Sequence, residues 1–192
     1  MEAILRLRDD LLRLKRLRRA GYLHYGLEDG EHIADHVFGV ALWALFLADL
    51  LRERGVDLSR ERVVVMALLH ELGEARLGDL HYEARDLLGH ETVREAERQA
   101  VARVLAPLPE SLQKAYRALW EEFETGESLE ARVVRLADRL DLLFQSLHYE
   151  RQGHPLPEIF HHPRTRNVFA EVPGGEELLT RILRERNHGK TA

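Results

Sequence analysis

Near the middle of the chain the sequence places one histidine and three carboxylates close together, at the end of an apolar segment. His70 is followed directly by Glu71, and Glu74 and Asp79 complete the group within ten residues. A buried carboxylate is costly unless it is paired or binds a cation. Because an imidazole and a hard oxygen ligand lie side by side here, the pattern favours a divalent metal site.

Two further polar residues interrupt apolar stretches elsewhere in the chain. His36 lies among apolar residues of one segment, and Asp138 interrupts the apolar stripe of another. Together with His70 and Glu71 they would supply two imidazoles and two carboxylates. That ligand set suits Mn, Co, Fe, Ni or Zn better than Ca. Asp141, one turn after Asp138, is predicted to pair with a neighbouring group.

The elements that must position these residues are predicted to be helices, because apolar residues recur every three or four positions. The predicted helices cover residues 2–19, 32–54, 59–74, 91–105, 110–123, 128–150 and 176–186. Residues 22–31 and 151–173 are rich in glycine and proline and are interpreted as loops. No stretch alternates with a period of two long enough to form a strand. The prediction is one all-α domain spanning residues 1–192.

Composition limits the class of protein. The chain has 192 residues, of which 45% are hydrophobic and 32% charged, so it is typical of a globular protein. A net charge of -5 argues against nucleic-acid binding by bulk electrostatics. The absence of cysteine excludes disulfides, thiolate metal sites and a cysteine nucleophile. No run approaches the roughly 18 apolar residues of a membrane span, so no membrane partner and a cytoplasmic location are expected.

The order His36, then His70-Glu71, then Asp138 resembles the H…HD…D signature of the HD-domain metal-dependent phosphohydrolases. The flanking residues are similar to those of the 5'-deoxynucleotidase branch, and the resemblance extends from about residue 19 to residue 150. The similar segments are Ala34-Asp35-His36, Leu69-His70-Glu71-Leu72-Gly73-Glu74-Ala75, Gly78-Asp79-Leu80 and Leu136-Ala137-Asp138.

The resemblance implies an HD-domain helical bundle that hydrolyses (deoxy)nucleoside 5'-monophosphates to nucleoside and phosphate by a metal-activated water. The metal ligands would be His36, His70, Glu71 and Asp138. Glu74 would orient or deprotonate the attacking water, and it follows His70 by four residues, on the same face of a helix. Asp79 would bind the sugar or assist the leaving oxygen, and Arg19 would neutralise the phosphate. The resemblance also implies a homodimer.

The sequence departs from the family pattern at two positions. Glu71 stands where the family has aspartate, and its extra methylene must be absorbed by a changed helix position or an intervening water. The family's Arg-Trp pair, whose tryptophan helps to select against a 2'-hydroxyl, is replaced by Arg19-Ala20. Tyr22 is the residue that would fill the space of that tryptophan, and it is therefore a second candidate for substrate binding.

Several alternatives remain open from the sequence. Glu71 would be a structural residue if it paired with an arginine such as Arg76. A di-iron oxygenase of the same superfamily needs additional histidines, which His81 and His90 would have to supply. A non-catalytic nucleotide-binding module is a further possibility, given the change to Glu71. The zincin metalloprotease motif is a weaker match, because Glu74 stands where its second histidine is required.

Overall fold

In the computed structural model, which describes residues 2–188, the chain folds into twelve α-helices. They are α1 (Glu2–Leu14), α2 (Ala20–His24), α3 (Ile33–Glu53), α4 (Arg60–Leu69), α5 (Glu74–Leu77), α6 (Tyr82–Leu88), α7 (His90–Leu105), α8 (Glu110–Thr125), α9 (Leu129–Arg151), α10 (Pro157–His161), α11 (Pro163–Ala170) and α12 (Gly175–His188). Among the described residues the extended structure is limited to one isolated bridge. The all-α prediction is confirmed.

Capping residues explain where the long helices begin. The Ser59 side chain accepts a hydrogen bond from the backbone N–H of Arg62 at the start of α4, and Ser128 caps α9 in the same way. At the start of α3 the backbone N–H of His32 donates to the carboxylate of Asp35. These bonds satisfy amide groups that have no partner inside the helix. The predicted starts of these three helices agree with the structure to within one residue.

The centre of the molecule is formed by α3, α4 and α9, which pack against one another. One face of α3 carries Val40, Ala44 and Ala48, and each of these residues is fully buried. His36 precedes Val40 by four residues, so it lies on the same buried face. The packing of small residues between α3 and α9 therefore brings His36 close to the polar residues of α9.

The first helix is shorter than predicted, since α1 ends at Leu14 and not near residue 19. Arg18 forms an antiparallel bridge with His32, and the backbone N–H of Ile33 donates to the carbonyl of Leu17 at 2.8 Å. These contacts link residues far apart in sequence, and local periodicity does not reveal them. They fix the segment after α1 beside the start of α3.

Three short helices lie in segments predicted to be loops. Helix α2 forms in the first of these segments, where the side chain of Tyr22 is buried. Helices α10 and α11 lie in the second, and α11 begins with Pro163 at its first position. Proline is favourable there because the first amide of a helix needs no partner. The prolines that suggested a loop therefore include one that begins a helix.

Helix α3 is long and apolar enough to cross a membrane by length and composition, with a mean hydropathy of 1.6 in its most apolar window. The prediction that no segment reaches this length is wrong for α3. Such a helix is also typical of the core of a globular protein, and α3 packs against α4 and α9. Only 28% of that window is buried, however, so much of the helix surface is exposed.

Candidate metal centre and substrate pocket

The structure brings three of the predicted metal ligands, His36, His70 and Glu71, into one group, and Asp138 joins them through its contact with His36. His36 Nε2 lies 3.4 Å from His70 Nε2 and 3.1 Å from Asp138 Oδ1. Glu71 Oε1 lies 3.8 Å from His36 Nε2 and 3.7 Å from His70 Nε2. The four side chains come from α3, from the end of α4 and from α9, so the packing of the three central helices builds the cluster.

Hydrogen bonds at the other side of each imidazole define which nitrogens face the cluster as acceptors. His70 Nδ1 lies 2.7 Å from the carbonyl oxygen of Ala67, and His36 Nδ1 lies 2.8 Å from Asp141 Oδ2. Because an N–H must donate in each contact, the Nε2 atom carries the lone pair whenever the imidazole is neutral, the form that binds a metal. Two imidazole lone pairs that face each other in a buried site favour a cation between them, and a carboxylate behind one ring is typical of metal-binding histidines. The donor set fits a divalent metal.

Asp141 is positioned by two further features of the structure. Its Oδ1 accepts a hydrogen bond from Trp43 Nε1 at 3.1 Å. Gly39 lies against it, and a Cβ at that position would clash with the carboxylate. A glycine on α3 thus leaves room for the carboxylate that supports His36. The prediction that Asp141 pairs with a neighbouring group is confirmed by these contacts.

The charges around His36 perturb its protonation. Burial and the charge of Arg19 lower the pKa of His36, but hydrogen bonds with Asp138 and Asp141 outweigh them and raise it to about 9. Burial raises the pKa of nearby Glu31 to about 7, although the charge of His36 opposes this, and Glu31 Oε1 is buried without a hydrogen-bond partner. The carboxylates around His36 therefore favour a positive charge at this site.

Glu74 reaches the site in a different way from the one predicted. Helix α4 ends at Leu69, and Glu74 begins the separate short helix α5. The backbone between them forms tight turns, in which the N–H groups of Leu72 and Glu74 donate to carbonyls three residues earlier. His70 and Glu74 therefore do not share a helical face, but both line the same pocket.

The two neighbouring glutamates differ in their acidity. Burial raises the pKa of Glu71, but the positive charges of His70 and Arg19 outweigh burial and hold this pKa below its ordinary value. Burial, and then the charge of Glu71, raise the pKa of Glu74 well above its ordinary value. Glu71 is therefore the more acidic member of the pair and Glu74 the more basic one. This separation gives two adjacent carboxyl groups different chemical roles.

Arg19 is the arginine that pairs with Glu71. Its Nη1 donates to Glu71 Oε1 at 3.0 Å, and its side chain is only 14% exposed. Arg76 instead forms an ion pair with the buried carboxylate of Asp10 at 2.7 Å. The alternative in which Glu71 pairs with an arginine is therefore confirmed as a contact, but the partner is Arg19 and not Arg76. Burial lowers the pKa of the Arg19 guanidinium, but the negative charges of Glu71 and Asp79 outweigh burial and raise this pKa above its ordinary value.

Asp79 and Tyr22 lie on the same side of the pocket as Arg19. Asp79 Oδ2 accepts a hydrogen bond from the backbone N–H of Ala20 at 2.6 Å. Tyr22 is only 1% exposed, and its hydroxyl lies 3.4 Å from Ser146 Oγ, so most of this side chain belongs to the core. Its ring therefore supports the pocket wall from beneath, and only a small part of it is available to a substrate.

The cluster opens into a pocket of about 580 Å³, which is within the range of small-molecule sites. Its apolar wall includes Leu80, Trp120, Phe123, Leu142 and Ile159. A basic part of the wall is formed by Arg139 on α9, Arg164 on α11 and His162 at the start of α11. The sequence did not predict these three as functional residues, because they converge only when α11 packs on α9.

The additional histidines of a di-iron site are not found beside the cluster in the described residues. His81 stacks on His24 with ring centroids 4.0 Å apart, and these two rings form a separate group with Glu83 at the pocket rim. His90 lies 3.4 Å from Asp86, and both are exposed. The di-iron alternative is therefore not supported by this geometry.

The helical fold and the mixed imidazole and carboxylate donors define an all-helical domain suited to a divalent metal. The sequence matches the HD domain family over residues 11–170. The chain belongs to this family, and the resemblance inferred from the ordered histidines and carboxylates is confirmed.

Relatives of known name and structure support this assignment. The chain is 29% identical to 5'-deoxynucleotidase HDDC2 of Dictyostelium discoideum, covering 83% of this chain and 91% of that protein. It is 30% identical to 5'-deoxynucleotidase HDDC2 of Danio rerio, covering 83% and 80%. A conserved hypothetical protein from Pyrococcus furiosus has 31% identity and a TM-score of 0.75, with 100% and 99% covered. A structure described as a predicted metal-dependent phosphohydrolase from Magnetospirillum magnetotacticum MS-1 has 25% identity and a TM-score of 0.75, with 98% and 93% covered.

Proposed function

We propose that this protein is a metal-dependent phosphohydrolase that releases nucleoside and phosphate from (deoxy)nucleoside 5'-monophosphates. One observation carries the proposal: the Nε2 atoms of His36 and His70 lie 3.4 Å apart, and His70, Glu71 and Asp138 line a pocket that also presents Arg19. The substrate class is supported by the two relatives from Dictyostelium discoideum and Danio rerio, which are both named 5'-deoxynucleotidase.

The metal would be held by His36, His70, Glu71 and Asp138. A bound divalent ion lowers the pKa of a water molecule and polarises a phosphoryl oxygen. The donors suit Mn, Co, Fe, Ni or Zn. The extra methylene of Glu71 leaves its Oε1 within 4 Å of both imidazoles, so the residue is positioned to act as a ligand despite the departure from aspartate.

The surrounding residues have separate roles in the reaction. Arg19 binds the phosphoryl oxygens and offsets their charge, because its guanidinium already lies beside Glu71 at the pocket floor. Glu74 accepts the proton of the attacking water, since a carboxylate whose pKa is raised is a stronger base than an ordinary carboxylate. Asp79 lies beside Arg19 and would bind the sugar or assist the leaving 5'-oxygen; one of its oxygens is fixed by Ala20.

A screen of metal-loaded protein against nucleoside mono-, di- and triphosphates and cyclic nucleotides, with release of phosphate and nucleoside measured, tests the proposal. His70→Ala and Asp138→Ala should lose metal and activity together. His90→Ala is a matched control, because His90 is exposed and outside the cluster. Full metal occupancy in both ligand variants would contradict the assignment. Recovery of unchanged nucleotide from a tight metal-containing complex would instead support a binding module.

We further propose that the protein is a cytoplasmic homodimer that associates through α3. Phe38, Leu42, Phe46 and Leu50 recur every fourth residue on this helix, and their exposed fractions are 67%, 36%, 50% and 60%. An apolar stripe of this kind favours association with another apolar surface. The stripe lies on a helix that also supplies His36, so a second copy is a better-supported partner for it than a membrane. The net charge of -5 supports the absence of a nucleic-acid partner.

A further inference from the structure

Arg139 lines the pocket but has no partner of its own. It follows the metal-ligand candidate Asp138 directly on α9, its Nε is buried without a hydrogen-bond partner, and it forms no ion pair within residues 2–188. Arg135, one turn earlier on the same helix, instead donates to the carbonyl oxygens of Phe123 and Glu124. Withdrawal of an unpaired guanidinium nitrogen from water is unfavourable. The charge of Asp138 offsets part of this cost, and a ligand in the pocket can supply the hydrogen-bond partner that Nε lacks.

Two further donors lie on the same wall of the pocket. The backbone N–H of Arg164 donates to His162 Nδ1 at 3.2 Å, so the ring proton of His162 is on Nε2 and is available to donate. Burial, and then the charges of Arg139 and Arg164, lower the pKa of His162, as expected for three basic groups that lie close together. The guanidinium of Arg164 is also without an ion-pair partner in the described part of the chain.

None of the three basic residues forms an ion pair with a carboxylate in the described part of the chain, although the charges of Asp138 and Asp86 act on Arg139 and His162. Glu158, which also lines the pocket, accepts a hydrogen bond from the hydroxyl of Tyr25 at 2.7 Å. The arrangement of two guanidinium groups and one imidazole N–H suits a phosphoryl group, because arginine binds phosphate oxygens through paired, charge-assisted hydrogen bonds. Arg139, Arg164 and His162 line the same pocket as Asp138, so one ligand in this pocket has access to both the basic wall and the candidate metal site.

We propose that Arg139, Arg164 and His162 form a second phosphate subsite, so that the protein prefers a nucleotide with two phosphoryl groups over a nucleoside 5'-monophosphate. The proposal rests on the proposed function for the position of the first phosphate, at Arg19 and the metal ligands. Two arrangements share this chemistry. The second phosphate is on the 3'-oxygen in a nucleoside 3',5'-bisphosphate, and it is linked to the first in a 5'-diphosphate.

Equilibrium binding to the metal-free full-length protein tests the subsite without any need for activity. The probes are dAMP, dADP and deoxyadenosine 3',5'-bisphosphate, measured by calorimetry at one salt concentration. The wild-type protein should bind one of the two-phosphate nucleotides roughly tenfold or more tightly than dAMP, the scale of one charge-assisted contact to phosphate. The nucleotide that shows the preference identifies which of the two arrangements applies.

Arg139→Gln and Arg164→Gln should each remove most of this preference while dAMP binding changes less than about threefold. Arg166→Gln is the matched control, because Arg166 is exposed on the same helix as Arg164, does not line the pocket and carries the same charge. An equal loss of the preference for two phosphates in Arg166→Gln would show a bulk charge effect and overturn the proposal. Equal affinity of the wild-type protein for all three nucleotides would also overturn it.

The remaining outcomes separate the subsite from the hydrolase. If Arg139→Gln fails to fold, Arg164→Gln decides alone, because Arg164 is exposed and its loss leaves the core intact. If the metal-loaded protein hydrolyses none of the nucleotides but the binding preference depends on Arg164, the subsite stands and the proposed function falls. If dAMP is hydrolysed and no two-phosphate nucleotide is preferred, the subsite alone falls.

Discussion

Glu71 and Glu74 are three positions apart, yet the structure gives one of them a low pKa and the other a high pKa. The difference arises because Glu71 lies beside His70 and Arg19, whereas Glu74 is buried beside the charge of Glu71. A carboxylate among cationic donors is suited to bind a metal. A carboxyl group that holds its proton until the local charge changes is suited to proton transfer.

Substitution of each glutamate in turn tests this division. Glu74→Ala should retain the metal and bind nucleoside monophosphate with little change in KM, while kcat falls by roughly 10² to 10⁴, the usual effect of losing a general acid or base. Glu71→Ala should weaken metal binding itself. Metal content and steady-state kinetics of both variants provide the measurement. If Glu74→Ala loses the metal and Glu71→Ala keeps it, the two roles are exchanged.

The raised pKa of Glu31 predicts a pH-dependent stability in the metal-free protein. Burial raises this pKa from 4.5 to about 7, so the folded state holds the proton more tightly than the unfolded state does. The favourable contribution is complete below pH 4.5 and is lost as the pH rises through 7. Glu31→Gln should therefore stabilise the protein relative to wild type by up to about 3 kcal/mol at pH 8, with little gain at pH 4.5.

Urea unfolding in the presence of a chelator at the two pH values measures the effect of Glu31→Gln. Glu28→Gln is the control, because Glu28 is exposed in the same segment. A gain for Glu31→Gln that is the same at pH 4.5 and pH 8 would show that charge burial is not its cause.

At the scale of elements, the close approach of α3 and α9 depends on Gly39. A methyl group there would displace Asp141 from His36 Nδ1 and Trp43, since the ideal Cβ position clashes with the carboxylate. Gly39→Ala should lower metal affinity by roughly 10- to 100-fold, the usual effect of losing the carboxylate behind a histidine ligand. Gly21→Ala is the control, because nothing lies within 4 Å of the added methyl. Titration of metal into the two variants should show a loss only for Gly39→Ala.

The sequence predicts the long helices well and the short ones poorly. Helices α3, α4 and α9 have strong apolar periodicity and recognisable caps, and their starts agree with the structure. The predicted end of α1, near residue 19, is wrong because Arg18 instead forms a bridge with His32, which is distant in sequence. Helices α2, α10 and α11 have five to eight residues and are stabilised by tertiary packing, which a local pattern does not contain.

The candidate site, like the fold, is only partly predictable from the sequence. The order of His36, His70 and Asp138 predicts three members of the cluster, because the chemistry of a metal restricts residue type and spacing. Arg139 gives no such signal, since arginine is common on exposed helix faces in this chain. Its possible role depends on the position of α11, which only the three-dimensional structure supplies.

For the whole molecule, the exposed stripe on α3 predicts self-association. The mass in solution at micromolar concentration should be that of a dimer. Phe46→Asp should shift the equilibrium to monomer by placing a charge in the apolar contact. Leu87→Asp is the control, because Leu87 is 90% exposed on α6 and outside the stripe. A wild-type monomer would contradict the proposed dimer, as would equal dissociation in both variants.

The three elements that carry the candidate metal ligands are far apart along the chain. His36 and His70 alone are separated by 34 residues, and Asp138 lies much further on. An ion that binds only the folded chain shifts the unfolding equilibrium by mass action, by about 2.7 kcal/mol when its free concentration is 100 times its dissociation constant. It thus acts as a reversible cross-link between α3, α4 and α9. Removal of the ion should lower resistance to unfolding and proteolysis even where no substrate is present.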